Sequence, residues 1–248
     1  MLKRDRHSYI LHQLDVHNKV LCGNLCDEIA VSEDTIRRDL QELHETGQLI
    51  KVHGGAVSKS FYNYNHITQV YAQNSKQVIA KKTASLLKDG MFILTSGGTT
   101  IIELARCLPK ELKATFITGS INVINEYMQH PNIDIIVLGD KLSKTSRITT
   151  GGEVVKTLRN MRVDYFLMGI NSIDINAGVT DNDWEVVSLK QAMMHAAKQT
   201  VCITISEKMN KIQPLKVCNV SDLGMLVTEL DPGSELLHEY REQGLEIL

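Results

Sequence analysis

The stretch Val31-Ser32-Glu33-Asp34-Thr35-Ile36-Arg37-Arg38-Asp39-Leu40 decides how the first quarter of the chain is read. Ser32 is a good helix N-cap, because its hydroxyl oxygen can accept from a free first-turn amide. Glu33 and Asp34 then suit the positive end of the helix dipole. Ile36, Leu40 and Leu43 recur with the spacing of one helix face, and Gly47 supplies the stop. At about 100° per residue, Leu40 and Leu43 fall within about 40° of Ile36. Asp34, Arg38 and Gln41 then point away from the apolar line, with Thr35 and Arg37 on its flanks.

Upstream of this helix, Ile10, Leu11 and Leu14 form one apolar face, and Leu25 and Ile29 form a second, very short one. Ala30-Val31-Ser32 is the tight connection into the third helix. Downstream, Leu49-Ile50-Lys51-Val52 and Ala56-Val57 flank His53-Gly54-Gly55, a hairpin signal. Helix, helix, turn, helix and two-stranded ribbon make a winged helix-turn-helix. A helix fits the major groove of double-stranded DNA, where arginine can bind guanine through two hydrogen bonds. Hydroxyls and free amides at a helix start hold phosphates. The expected DNA contacts are Ser32, Asp34, Thr35, Arg37, Arg38 and Gln41 on the helix, and Lys51, His53 and Gly54 on the wing. The competing reading is a solvated face carrying an Arg37-Arg38-Asp39 ion-pair cluster; the surrounding helix, turn and ribbon weigh against it.

Composition sets wider bounds. A chain of 248 residues is long enough for one or two domains. With 43% hydrophobic and 23% charged residues it has the make-up of a globular protein, which excludes low-complexity disorder as its main state. The net charge is −2, so no global field attracts nucleic acid or membrane. Residues 1–57 carry seven basic against nine acidic side chains, so an anionic partner must be held by a local basic patch. No apolar run approaches the ~20 residues that span a bilayer, and the charged N-terminus does not read as a secretory signal. Cys22, Cys26, Cys107, Cys202 and Cys218 are odd in number and scattered, as expected for reduced core thiols of a cytoplasmic protein. Cys22 and Cys26 lie near His12 and His17, but no second ligand pair follows at zinc spacing. No metal or cofactor is expected.

Residues 58–75 read as a polar, aromatic linker, with Phe61, Tyr62 and Tyr64 placed to pack on either domain or on a second subunit. From residue 76 to 248 strand-like and helical patterns alternate. Apolar runs at 91–95, 114–118, 133–138, 163–169, 200–205 and 223–228 are separated by helical patterns near 100–108, 120–130, 152–160, 184–198 and 232–243. The near-continuous Ile133-Asp134-Ile135-Ile136-Val137-Leu138 suits a strand covered on both faces. The expected fold is α/β, a Rossmann-like, largely parallel sheet. In Phe92-Ile93-Leu94-Thr95-Ser96-Gly97-Gly98-Thr99-Thr100 a strand runs through a glycine turn directly into a helix, which lets free amides face an anion. The lysine of a Walker loop and the spacing of a dinucleotide fingerprint are both missing. Thr118-Gly119-Ser120, Gly139-Asp140-Lys141, Gly169-Ile170-Asn171 and Ser206-Glu207-Lys208 repeat the polar theme at later strand ends, where open α/β sheets bind ligands. The expected pocket therefore draws on Ser96, Gly97, Gly98, Thr99, Thr100, Thr118, Gly119, Asn171 and Lys208. Trp184 lids that pocket or packs a helix start, and packing is the expected fate.

The two halves together resemble the DeoR-type family of bacterial transcriptional repressors. The resemblance is carried by residues 31–40 and by the wing Val52-His53-Gly54-Gly55-Ala56-Val57. It continues through Ser96-Gly97, Thr99-Thr100, Thr150-Gly151, Asp164, Gly169, Gly178-Val179-Thr180, Glu185, Lys190 and Ser206-Glu207-Lys208. It implies a sensor domain with a fold similar to ribose-5-phosphate isomerase, a phosphorylated sugar or similar metabolite as effector, and a cytoplasmic homo-oligomer. It also adds Gly151 to the expected effector site. The chain departs from the family where Thr95 replaces a usual Asp, Gly98 a usual Thr, Gly119 a usual Asn, and Ala30 a usual Gly. The expected function is an effector-controlled repressor and not an enzyme. The alternative is a sugar-phosphate isomerase-like enzyme using Asp140, Asp174, Glu185 and Lys208 as acid-base groups.

Overall fold

The computed structural model describes residues 1–59 and 71–248, which form two compact units, Met1–Tyr71 and Ala72–Leu248. Most of the expected linker, with Phe61, Tyr62 and Tyr64, lies outside the described residues.

The first unit runs α1 (Lys3–His17), β1 (Lys19–Leu21), α2 (Cys22–Ile29), α3 (Glu33–Glu45), β2 (Leu49–Val52) and β3 (Gly55–Ser58). The residues expected on three apolar faces meet in one core: Ile10 and Leu14 from α1, Leu25 and Ile29 from α2, and Ile36, Leu40 and Leu43 from α3, closed by Leu49. Ala30 ends α2 in the left-handed region at φ +58°, its N–H bonded to the Cys26 carbonyl at 2.8 Å. This is the conformation that the usual glycine adopts without strain.

The wing is larger than the expected ribbon. Its sheet has the order β1-β3-β2, with Lys19 to Leu21 antiparallel to Val57 to Gly55. A three-residue strand wedged between two helices shows no alternation that a sequence pattern can register. Gly55 makes the pairing possible, since a Cβ there would stand 1.9 Å from the Val20 carbonyl oxygen.

The second unit is built on a seven-stranded sheet: β4 (Phe92–Thr95), β5 (Thr115–Thr118), β6 (Asp134–Val137), β9 (Val163–Gly169), β12 (Ala197–Ile203), β14 (Met225–Val227) and β15 (Glu246–Ile247). The order is β15-β14-β12-β9-β4-β5-β6 and every adjacent pair is parallel. Around it lie α4 (Gln73–Ala84), α5 (Thr99–Cys107), α6 (Ile121–Tyr127), α7 (Gly152–Arg159), α8 (Trp184–Ala196) and the short α9 (His238–Glu242). Six strands lie where the apolar runs place them; β15 is an addition.

Two further features escape the sequence reading. A hairpin of β7 (Lys141–Ser143) and β8 (Ile148–Thr150) follows β6, and β10 (Ser172–Asp174), β11 (Gly178–Asp181) and β13 (Leu215–Cys218) form a small antiparallel sheet. The reading of 133–138 as a doubly covered strand is also corrected: β6 is an edge of the sheet, and Ile136 and Val137 are exposed. Branched residues favour any strand, so composition alone does not separate an edge from a centre.

Candidate DNA interface and effector pocket

Ser32 caps α3 as expected: its oxygen accepts from the Thr35 N–H at 3.4 Å, and the two hydroxyls lie 2.9 Å apart. The outward face of α3 is not a uniform row of free groups. Arg37 is paired with Glu33 at 2.8 Å within its own helix. The side-chain amide of Gln41 donates to Glu45 at 2.7 Å, and its oxygen accepts from Lys51 Nζ at 2.8 Å. The Lys51–Gln41 bond ties the wing to α3. Arg38 and Asp34 are exposed and have no bonded partner among the described residues. His53 and Gly54 form the exposed wing turn, Gly54 at φ +74°. Arg38 thus presents a guanidinium unpaired among the described residues, whereas Arg37 is held in an ion pair.

Asp39 overturns the ion-pair-cluster reading of this face. It points inward, only 2% exposed, and its partners are in α1: Arg6 Nε and Nη2 at 2.7 and 3.1 Å, and His7 Nε2 at 3.1 Å. Burial pushes this carboxyl up, but the hydrogen bonds from Arg6 and His7 outweigh that and hold it below the usual carboxylate range. One polar residue on the buried stripe of α3, three positions after Ile36, was the signal available in the sequence.

In the second unit the strand ends converge. Glycine packing shows how closely: a Cβ on Gly97 would lie 3.2 Å from Ser120 Oγ, and one on Gly169 would lie 3.0 Å from the Gly97 carbonyl oxygen. Ser96 Oγ accepts from the Gly169 N–H at 2.9 Å. Gly98 starts α5 at φ +118° with open space beside it and no side-chain cap, so first-turn amides of α5 face that space. Thr99 and Thr100 form that first turn. Thr118 serves inside the protein, its hydroxyl donating to the Thr95 carbonyl and accepting from the Ser120 N–H. A Cβ on Gly119 would strike Thr149, and one on Gly151 would strike Asp140. Thr95, at the family's aspartate position, is fully buried beside the Tyr127 hydroxyl.

Lys208 Nζ donates to the Ile170 carbonyl at 2.8 Å. Its turn is anchored by Glu229, which accepts from the Ser206 N–H and hydroxyl. Burial of the ammonium and the nearby Lys76 and Lys190 bring Lys208 down to about 7, only partly offset by Asp181. Lys190 pairs with Asp181 at 2.8 Å, and Asn171 donates to the same carboxylate at 2.8 Å. Lys76 and Lys190 are both buried. Lys208 therefore feels two neighbouring ammonium groups and one carboxylate. Lys76 escapes the sequence reading, although it sits on the stripe of α4 that also buries Ile79, Ala80 and Thr83.

Expectations about four residues change. Trp184 is not packed but 69% exposed at the start of α8. Asp140 and Asp174 accept backbone N–H groups, from Glu153 and from Asn176 and Ala177. Glu185 forms an exposed pair with Lys141. The carboxylates of the isomerase alternative thus serve turns and a surface ion pair. Among the described residues no helix is long and apolar enough to cross a membrane.

Comparison with known proteins gives two family matches. Residues 6–61 match the DeoR-like helix-turn-helix domain and residues 71–230 the DeoR C terminal sensor domain. The chain is 29% identical to the HTH-type transcriptional repressor GlcR of Bacillus subtilis, over 100% of this chain and 96% of that one. It is 25% identical to the glycerol-3-phosphate regulon repressor of Escherichia coli, over 94% and 93%. Ribose 5-phosphate isomerase A of Methanocaldococcus jannaschii aligns in structure with a TM-score of 0.39 at 20% identity, over 54% of this chain and 53% of that one. With a capped, arginine-bearing helix in one unit and a polar cluster at the strand ends of the other, the chain belongs to the DeoR family of DNA-binding transcriptional regulators, and is not an enzyme.

Proposed function

We propose that this protein is a cytoplasmic repressor whose grip on a DNA operator is set by a phosphorylated sugar or a similar small anionic metabolite. The observation that carries the effector reading is Lys208 held at the Ile170 carbonyl beside the Lys190–Asp181 pair, at the strand ends where α5 opens without a cap. Burial and the neighbouring ammonium groups disfavour the charged form of Lys208, and a phosphate dianion favours it. The helix start adds amide donors that suit the same anion. The relative named for a glycerol-3-phosphate regulon is in keeping with such a ligand.

On the DNA side, Arg38 reads a base edge in the major groove, Ser32 and Thr35 meet phosphates, and Lys51, His53 and Gly54 bring the wing to the backbone. One recognition helix makes few contacts, and a homo-oligomer doubles them on a two-fold operator. The effector acts only through unequal affinity for DNA-competent and DNA-incompetent states. The test begins by selecting operator sequences from random duplexes. Operator affinity is then measured with and without a panel of phosphorylated sugars. A compound that shifts both operator affinity and melting temperature supports the reading, provided that Lys208→Met abolishes both shifts and leaves effector-free DNA binding intact. A panel in which no phosphorylated compound changes either quantity overturns it.

A further inference from the structure

Two hydroxyls in the second unit have nothing to bond. Ser120 Oγ and Thr150 Oγ1 are buried, each residue only 1% exposed, and neither has a hydrogen-bond partner among the described residues. Leaving a buried hydroxyl unpaired is costly, so two of them on one ladder need an explanation.

Their placement supplies it. Residues 118–121 run antiparallel to 147–150: Ser120 bridges Ile148, the Thr149 N–H donates to the Gly119 carbonyl at 2.9 Å, and the Ile121 N–H donates to the Arg147 carbonyl at 3.0 Å. Side chains alternate along a strand, so Ser120, Ile148 and Thr150 share one face, while Gly119 and Thr149 share the other. Thr149 spends its hydroxyl on that other face, donating to the Leu138 carbonyl at 2.7 Å. The first face looks onto the glycine turn, because the Cβ position of Gly97 lies 3.2 Å from Ser120 Oγ and 3.9 Å from Ile148 Cδ1. Ser120 Oγ therefore lies enclosed against the glycine turn that precedes α5, with Thr150 two residues beyond Ile148 on the same face, on the side of the sheet away from Lys208. In strand order the ends run β5, β4, β9, β12, and Lys208 reaches back to Ile170 at the end of β9. From the Ile170 position to Ser120 is two strand spacings, about 10 Å.

We propose that Ser120 and Thr150 form a second subsite of the effector pocket. This subsite takes the uncharged, oxygen-bearing end of a ligand whose phosphate lies toward Lys208 and α5. The inference rests on the phosphorylated-effector reading above. A hydroxyl both donates and accepts, so it matches an alcohol or carbonyl oxygen and gives no advantage to an anion. The effector class is then a phosphorylated polyol or sugar long enough to cross two strand ends, and neither inorganic phosphate nor a three-carbon phosphate reaches both subsites.

The test uses the full chain, with inorganic phosphate, glycerol 3-phosphate, a hexose 6-phosphate and a hexitol 6-phosphate as calorimetric probes. A six-carbon phosphate should bind at least tenfold more tightly than inorganic phosphate. Ser120→Ala and Thr150→Val should each erase most of that margin while leaving phosphate affinity unchanged, and Thr150→Ser should retain it. Without ligand, the same two variants should melt at or above the parent temperature, because each removes an oxygen that has no partner to lose. If inorganic phosphate binds but the six-carbon compounds gain nothing, or if their gain survives both substitutions, the subsite is refuted and the anion pocket stands. If none of the phosphates binds, the anion pocket fails and the subsite with it. A fall of several degrees in the ligand-free variants also refutes the proposal, because it shows the hydroxyls bonded inside the protein, directly or through water.

Discussion

Replacing Asp39 tests whether the DNA-facing helix is held by its buried polar anchor as well as by its apolar face. The carboxylate takes three short contacts from α1, two from Arg6 and one from His7, and it is almost fully enclosed. Removing one partner of a buried ion pair leaves the other charge uncompensated, typically at 3–5 kcal/mol. Arg6 keeps some contact with water, its side chain 13% exposed, which argues for the lower end, about 3 kcal/mol. For Asp39→Ala this corresponds to roughly a hundredfold loss of amide-exchange protection in α3. Hydrogen exchange followed by mass spectrometry on the full chain reads that loss within the first unit. Operator affinity should fall in parallel, although Asp39 touches no DNA. The double variant Arg6→Ala/Asp39→Ala should be less damaged than the two single losses added together, because it leaves no orphaned charge. Protection in α3 and operator affinity both within threefold of the parent protein would refute the reasoning. The pH dependence has a definite sign. The Asp39 carboxyl is held below its ordinary value of 3.8, so its contribution is present above that value and disappears as pH falls through the lower folded one.

Other perturbations probe the remaining links. Arg38→Ala should cost about 1–3 kcal/mol of operator binding and relax sequence preference at one base pair, as read by gel shift against single-base operator variants. Lys51→Ala should weaken all duplexes alike and make the salt dependence shallower by about one phosphate contact; an unchanged slope removes Lys51 from the interface. Gly55→Ala forces a Cβ against the Val20 carbonyl and should strip exchange protection from β1 and β3. Unaltered protection there would contradict the close strand approach. Lys208, at about 7, carries the pH dependence of the pocket. Between there and its ordinary 10.5 the unfolded chain holds a proton that the folded one lacks, so stability should rise with pH across that window. An anion that keeps Lys208 charged beside Lys76, Lys190 and Asp181 should bind with proton uptake above pH 7. Calorimetry with sulfate in two buffers of different ionisation enthalpy detects this, and zero uptake at pH 8 would count against the site.

Local physics made much of the molecule legible. The Ser32 cap, the Ile36-Leu40-Leu43 stripe and the Gly47 stop act over a few residues, so α3 and its outward arginines follow from the chain alone. The same holds for six strands of the parallel sheet and for the glycine turn into α5, where only Gly98 accepts the backbone angle. Interactions between distant segments were out of reach. Asp39 and Arg6 are 33 positions apart, and Arg37, outwardly the equal of Arg38, is occupied by Glu33. β1 exists because β3 lies beside it, and β6 is an edge because no further strand joins it. The lysines of the pocket come from α4, α8 and the turn after β12, brought together by the order of strands. Sequence by itself determined the helices of the first unit, six strands of the parallel sheet and the arginines on the outward face of α3, because caps, periodicity and backbone angles are near-neighbour properties. Only the tertiary structure decided which charges are paired, which lysines meet and which hydroxyls are left without a partner, because those depend on distances that the order of residues does not contain.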